Sequence, residues 1–333
     1  MLMKKILITG GFGFVGSHFV EHVLKNTDWD IVILDRLSYA ADINRITDTS
    51  VFDPNRINFI YHDLRGSINE SQHNRIGKLD YVIHFAAESH VDRSLEDAVP
   101  FAQSNVVGTT NLLQYLKEYQ PELKKYIGFN TDEVFGPAPE GVFHSEDFKF
   151  KPSNPYAAAK CGQWAMEYSF AHAFKMPIMM VHSMNIISER QHPEKFFPMT
   201  IKKLSDGKKI ILHGVDKNNQ SSRCWIHARN VADALMFLLK KGETGETYNI
   251  VGEEKTIWQI ADWICETVKG RGLRDSDVEW LDFHKARKGH DKRYALDGSK
   301  LSEMGWKPPK DLESSLKKAI KWCIKPENRH WLS

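Results

Sequence analysis

The apolar run Lys5-Ile6-Leu7-Ile8-Thr9 passes directly into Gly10-Gly11-Phe12-Gly13-Phe14-Val15-Gly16. A strand that ends in clustered glycines and opens a helix is the start of a βαβ unit. The glycines allow a tight turn and let a pyrophosphate approach backbone N–H groups at the helix N-terminus. Further short apolar runs at 31–35, 57–61, 81–85, 125–130 and 177–182 alternate with helical patterns near 16–26, 100–118 and 156–174. Several runs are apolar throughout, as strands covered on both faces should be. The alternation predicts an α/β fold on a doubly wound parallel sheet. After residue 183 the pattern loosens. Helical patterns at 199–206, 229–241, 257–268 and 313–322 and one strand at 247–251 predict a smaller C-terminal α/β part. The expected division is 1–182 for the dinucleotide and 183–333 for the substrate. The two parts interleave, because 223–251 returns to the first.

Composition removes several classes of function. The 333 residues carry 45 basic and 43 acidic side chains, a formal net charge of +2, which gives no reason to expect nucleic acid or a membrane surface as partner. No apolar run approaches the roughly 18 residues of a membrane span, and the N-terminus lacks the pattern of a signal peptide. Cys161, Cys224, Cys265 and Cys323 are scattered without a C-x-x-C, as expected of reduced thiols in a cytoplasmic protein. The histidines form no H-E-x-x-H or similar cluster, so no metal is expected.

Asp35 stands 19 residues after Gly16, at the end of the second strand pattern. A carboxylate there binds both ribose hydroxyls and repels a 2′-phosphate, which favours NAD over NADP; Arg36 beside it could accept such a phosphate. Two further groups carry acid–base chemistry. Tyr156 and Lys160, four apart on a helix, project from one face. An ammonium beside a phenol favours the phenolate and lets it act as a base. Asp132 and Glu133, just past a strand end and after Thr131, supply a second acid–base set. A general acid at neutral pH needs a raised pKa, which burial or a neighbouring carboxylate can supply.

With these residues together, the chain resembles the extended short-chain dehydrogenase/reductase family, and within it the nucleotide-sugar 4,6-dehydratases of the dTDP-glucose type. The resemblance covers nearly the whole chain. Its specific marks are Ala87-Glu88-Ser89-His90-Val91-Asp92-Arg93-Ser94 and Thr131-Asp132-Glu133; Pro193-Glu194-Lys195, Arg223-x-Trp225 and Gly289-His290-Asp291 add to them. It implies a Rossmann sheet, an NAD cofactor, a homodimer paired through the helices at 100–118 and 156–174, and a sugar-nucleotide substrate, dTDP-glucose first and UDP-glucose second. It also implies roles. Asp63 and Leu64 would border the adenine, and Ala86, Ala87 and Ser89 the cofactor. Tyr156 would be the base at the sugar 4-hydroxyl, with Lys160 also on the nicotinamide ribose and Thr131 at the 4-oxygen. Ser89, His90, Asn185, Glu194, Lys195, Arg223 and His290 would contact the substrate.

The substrate half departs from the family. Residues 186–192, Ile-Ile-Ser-Glu-Arg-Gln-His, replace a small Asn-Tyr-Gly-Pro-type turn; Cys224 replaces an Asp, and 227–230 reads His-Ala-Arg-Asn. Two expectations follow for Arg190: it touches the sugar nucleotide, or it ties the rebuilt loop in place. The alternatives to a dehydratase are an epimerase or decarboxylase acting through the same 4-keto intermediate, and a catalytically silent NAD-binding subunit.

Overall fold

The computed structural model describes residues 3–282 and 292–333. Seven strands form one parallel sheet: β1 (Lys5–Thr9), β2 (Asp30–Asp35), β3 (Ile57–Tyr61), β4 (Tyr81–His84), β5 (Lys125–Thr131), β6 (Ile178–Ser183) and β10 (Thr247–Ile250), in the order β10-β6-β5-β4-β1-β2-β3. The chain winds outward from β1 in one direction and from β4 in the other. The crevice at the carboxyl ends of these two neighbours is therefore the topological switch point. Each of these strands lies within a residue of its expected position. A long apolar run bounded by turn residues leaves little freedom in where a buried strand starts and stops.

Alternate side chains feed the two faces. Ile6 and Ile8 of β1 pack with Phe19, Val20 and Val23 of α1 (Phe14–Asn26), while Leu7 joins Leu112, Leu113 and Leu116 of α2 (Gly108–Tyr119). α3 (Pro155–Phe174) lies beside α2. Full burial of a side chain such as Phe19 contributes about 2–3 kcal/mol. The helical pattern at 100–118 is not one α-helix. Ala102–Val107 forms a π-helical turn before α2 begins, and it presents Asn105 to the loop after β4.

The second half adds α4 (Phe196–Ser205), α5 (Ala228–Lys241), α6 (Ile257–Lys269) and α7 (Leu312–Cys323). Its short strands escaped the sequence reading. β9 (Ser222–His227) pairs with β11 (Glu253–Thr256), β13 (Arg293–Tyr294) and the two-residue β7 (Ile186–Ile187); β8 (Ile210–His213) pairs with β12 (Val278–Leu281). Within 223–251, β10 extends the large sheet and α5 packs on α1, whereas β9 builds the small sheet. A separate core, with Phe197, Ile201, Trp225, Ile260, Ile264 and Leu316, fills this half. Among the described residues no helix is long and apolar enough to cross a membrane.

Candidate active site

A cavity of about 680 Å³ opens at the switch point and runs between the two halves. Its floor is the glycine turn. Gly10 has φ +67°, and a Cβ there would lie 2.8 Å from Ala86 N; a Cβ on Gly16 would lie 2.3 Å from Gly10 O. Only glycine lets the turn fold this closely against the loop after β4. Gly13, Phe14 and Val15 complete that wall. Asp35 is 7% exposed, and its carboxylate accepts from Phe12 N (3.0 Å) and Leu37 N (2.9 Å), so it also fixes the turn. Arg36 is ion-paired with Asp63 (3.2 Å) and with Glu88, so its guanidinium is already engaged by two carboxylates. Leu64, Ala86, Ala87 and Ser89 line the same end. Asn105 holds Glu88 through both its backbone N–H (2.8 Å) and its carbonyl (3.0 Å).

The acid–base residues meet in the middle. Thr131 closes β5 and caps the short 3₁₀ turn Asp132–Phe135, its hydroxyl accepting from Glu133 N (3.3 Å). The Asp132 side chain is buried. Its carboxyl is pushed up to about 7, first by loss of water and then by the charge of Glu133. Its Oδ1 accepts from Thr131 Oγ1 (3.2 Å), while Oδ2 is buried without a partner. Asn154 caps α3 and also donates to Glu133 Oε2 (3.0 Å). Tyr156 sits in the first turn of α3, where Ser94 Oγ accepts its backbone N–H (3.2 Å).

Lys160 is turned toward the sheet and its own helix. Its ammonium donates to Phe129 O (2.7 Å) and Gln163 Oε1 (2.5 Å), drawn inward by these buried acceptors. The Tyr156 phenol is pushed well above its ordinary range by burial and then by Glu133; the Thr131 hydroxyl partly offsets this. Helical spacing puts two side chains on one face, but buried polar partners decide where the longer one points.

Across the cavity stand His90, Asn185, Glu194, Lys195 and Arg223. Glu194 lies 3.5 Å from His90 Nε2 and from Arg93 Nη2. Arg223 donates to Ser222 O and Lys292 O (both 2.7 Å), and its guanidinium lies over the Tyr294 ring. His290 lies outside the described residues. Cys224 is buried, and burial pushes its thiol up to about 12, so it is a filler and not a nucleophile. Among the described residues no cluster of His, Cys, Asp and Glu could hold a metal ion.

Sequence reading missed Asn105, Ser94, Gln163 and Glu167, and gave Asn154 no role. The Asn-Pro pair at 154–155 was a usable signal, since it marks a helix start. Ser94 lies in the Ala87–Ser94 run, while Asn105, Gln163 and Glu167 carry no local signature.

Two of the three departures in the substrate half, 186–192 and 227–230, prove to be one unit. Glu189, from the rebuilt loop, pairs with Arg229 at the start of α5 and lies 3.6 Å from His227 Nε2. Ser188 donates to Glu189 (2.6 Å) and lies 3.0 Å from that imidazole nitrogen. Arg190 is absent from the cavity wall. It is 4% exposed and binds Glu21 and the Arg45 carbonyl, at φ 62°. Of the two expectations for Arg190, tying the loop is the one that matches this geometry. Arg190→Ala should therefore lower stability by about 3 kcal/mol, the cost of breaking a buried pair. NAD content should stay unchanged. A melt within a degree of the parent protein would contradict this.

Fold and cavity define a Rossmann-type dinucleotide-binding protein with the tyrosine–lysine helix of short-chain dehydrogenases. The model of the GDP-mannose 4,6 dehydratase family matches residues 7–319, and the chain belongs to that family. It is 34% identical to a dTDP-glucose 4,6-dehydratase of Salmonella typhimurium, over 99% of this chain and 94% of that one. A dTDP-glucose 4,6-dehydratase from Streptomyces venezuelae, solved with NAD bound, superposes with a TM-score of 0.86 at 31% identity, covering 98% of each chain. A UDP-N-acetylglucosamine 4-epimerase from Methanobrevibacter ruminantium superposes at 0.82 with 26% identity, covering 97% of this chain and 99% of that one.

Proposed function

We propose that this protein is an NAD-dependent nucleotide-sugar 4,6-dehydratase, with dTDP-glucose as first substrate and UDP-glucose as second. The observation that carries this reading is the pair Asp132 and Glu133, adjacent carboxyls in unlike surroundings. Asp132 is buried and raised to about 7, while Glu133 is held by Asn154 on the cavity wall. A 4-epimerase needs oxidation and reduction at C4 but no second acid–base pair.

The residues fit the cofactor. The glycine turn leaves room that a Cβ would fill, and Arg36 is engaged by Asp63 and Glu88 and so is not set to receive a 2′-phosphate, which supports NAD. The glycine turn, Asp35 and the loop after β4 would hold NAD, which when bound would supply the hydride acceptor for oxidation at C4 and the hydride donor for reduction at C6. The chain supplies the proton chemistry. Tyr156 takes the proton of the C4 hydroxyl, with Thr131 at the same oxygen. The new C4 ketone acidifies C5, and Glu133 removes that proton. Asp132 gives its proton to the departing C6 hydroxyl, and water leaves; a proton later returns to C5. Asn185, Lys195 and Arg223 offer donors and positive charge to a diphosphate, with His90 and Glu194 completing that wall and Asp63 and Leu64 at the adenine end.

Incubation with a panel of dTDP-, UDP-, GDP- and CDP-sugars tests the reading. The expected result is a 4-keto-6-deoxy product from a glucose nucleotide. A C4 epimer that keeps its 6-hydroxyl would sink it.

A homodimer is part of the same proposal. Val99 and Val107 before α2 and Tyr168 and Phe174 on α3 are 46–60% exposed, and a second copy of the chain would cover them. Leu112, Leu113 and Leu116 serve the protein's own core, not this surface. Sedimentation at micromolar concentration should give a dimer, and a monomer there would contradict it. A cytoplasmic setting is supported by the cysteines, all four of which are unpaired thiols.

A further inference from the structure

Beneath the Tyr156–Lys160 face of α3 lies a carboxylate that the mechanism above does not use. Glu167 is fully buried. Three donors converge on it: Tyr126 Oη (2.9 Å), Gln163 Nε2 (3.0 Å) and Asn130 Nδ2 (3.1 Å). Two of these lead to the reaction residues. Gln163 turns its carbonyl to the Lys160 ammonium (2.5 Å) while its amide faces Glu167, so one side chain bridges cation and anion. Asn130 immediately precedes Thr131-Asp132-Glu133.

The strand has made room for this group. Gly128 stands in the middle of β5, where a side chain is normally needed for packing. A Cβ there would lie 2.1–2.2 Å from the Glu167 carboxylate atoms. An isolated buried carboxylate is costly, and one held by three donors beside an ammonium is not isolated.

We propose that Glu167 is the positioning residue that ties the two acid–base sets together, holding Lys160 through Gln163 and the Thr131–Glu133 turn through Asn130. This rests on the reading of those residues as reaction groups. Glu167 does not line the cavity, and it acts through its partners.

The groups facing it are few. Tyr126 comes from β5, Gln163 and Lys160 from its own helix. His84 on β4 and His182 on β6 feel the Lys160 charge, but burial holds both near 3, so they are neutral. Burial lowers the Lys160 ammonium, and Glu167 opposes that fall. Removing the carboxylate should therefore make Lys160 lose its proton at lower pH.

The test uses the full-length protein with its nucleotide sugar, once the parent enzyme has shown turnover; failure at that step overturns the functional reading and not this one. Single-turnover cofactor reduction is followed against pH, because that half-reaction does not need the Asp132 proton. NAD affinity is titrated in parallel by tryptophan fluorescence. In Glu167→Gln the alkaline limb of both profiles should move down by about one pH unit or more. Profiles in the parent position would overturn the proposal. Should Glu167→Gln fail to fold, Gln163→Met decides. It removes the bridge but keeps the charge, so the reduction rate should fall several-fold with the alkaline limb in place; an unchanged rate and NAD affinity would overturn the proposal.

Discussion

Tyr156→Phe is expected to fold, to retain NAD, and to show no rise in NADH absorbance when mixed with the nucleotide sugar in a single turnover. The ring stays packed against Phe101, so only the hydroxyl is lost. A positioned general base contributes about 10²–10⁴-fold to such a step. Burial and then the charge of Glu133 raise the phenol, so the hydroxyl must give up its own proton before it can serve as base. Stopped-flow absorbance measures it directly. More than a tenth of the parent rate in the variant would mean that another group takes the C4 proton.

The second large effect separates the carboxyls. Glu133→Gln should still reduce bound NAD but stall before the C5 proton leaves, so NADH accumulates and no 4-keto-6-deoxy product forms. Full turnover in that variant would remove Glu133 from the role given to it. Asp132 predicts the pH dependence. It must carry a proton to serve as acid, and its carboxyl is raised to about 7 by burial and then by Glu133, so elimination should fall as pH rises through about 7. The same shift is a statement about stability. A carboxyl raised above its unfolded value of about 3.9 stabilises the fold below that value, and the contribution is lost as pH climbs to about 7. Asp132→Asn should accordingly be inactive in elimination yet more stable than the parent near pH 8, by on the order of 2–4 kcal/mol. Thermal melts at about pH 5 and 8 check the sign.

Much of the site could be read from the chain because its chemistry is local. The Gly10–Gly16 turn, Asp35 and the run from Ala87 to Ser94 lie at strand ends and in the turns and helix starts that follow, where backbone geometry and side-chain type are both constrained. Apart from Arg190, the expected site residues that the structure describes line a single cavity. The second half was less legible. Its strands are two to six residues long and pair across distant stretches, as β9 does with β11 and β13, so periodicity has too few residues to act on.

The sequence by itself determined the sheet, the glycine turn and the identity of the acid–base groups, since each follows from residue type at fixed spacing. Tertiary structure alone decided their state. Lys160 turns toward Phe129 and Gln163 because buried acceptors lie there. Asp132 is raised because the fold removes its water and sets Glu133 beside it. The altered loop survives because Glu189 and Arg190 find Arg229 and Glu21, between 40 and 169 residues away along the chain. Burial and long-range partners set orientation and charge, and neither is a property of any short stretch of sequence.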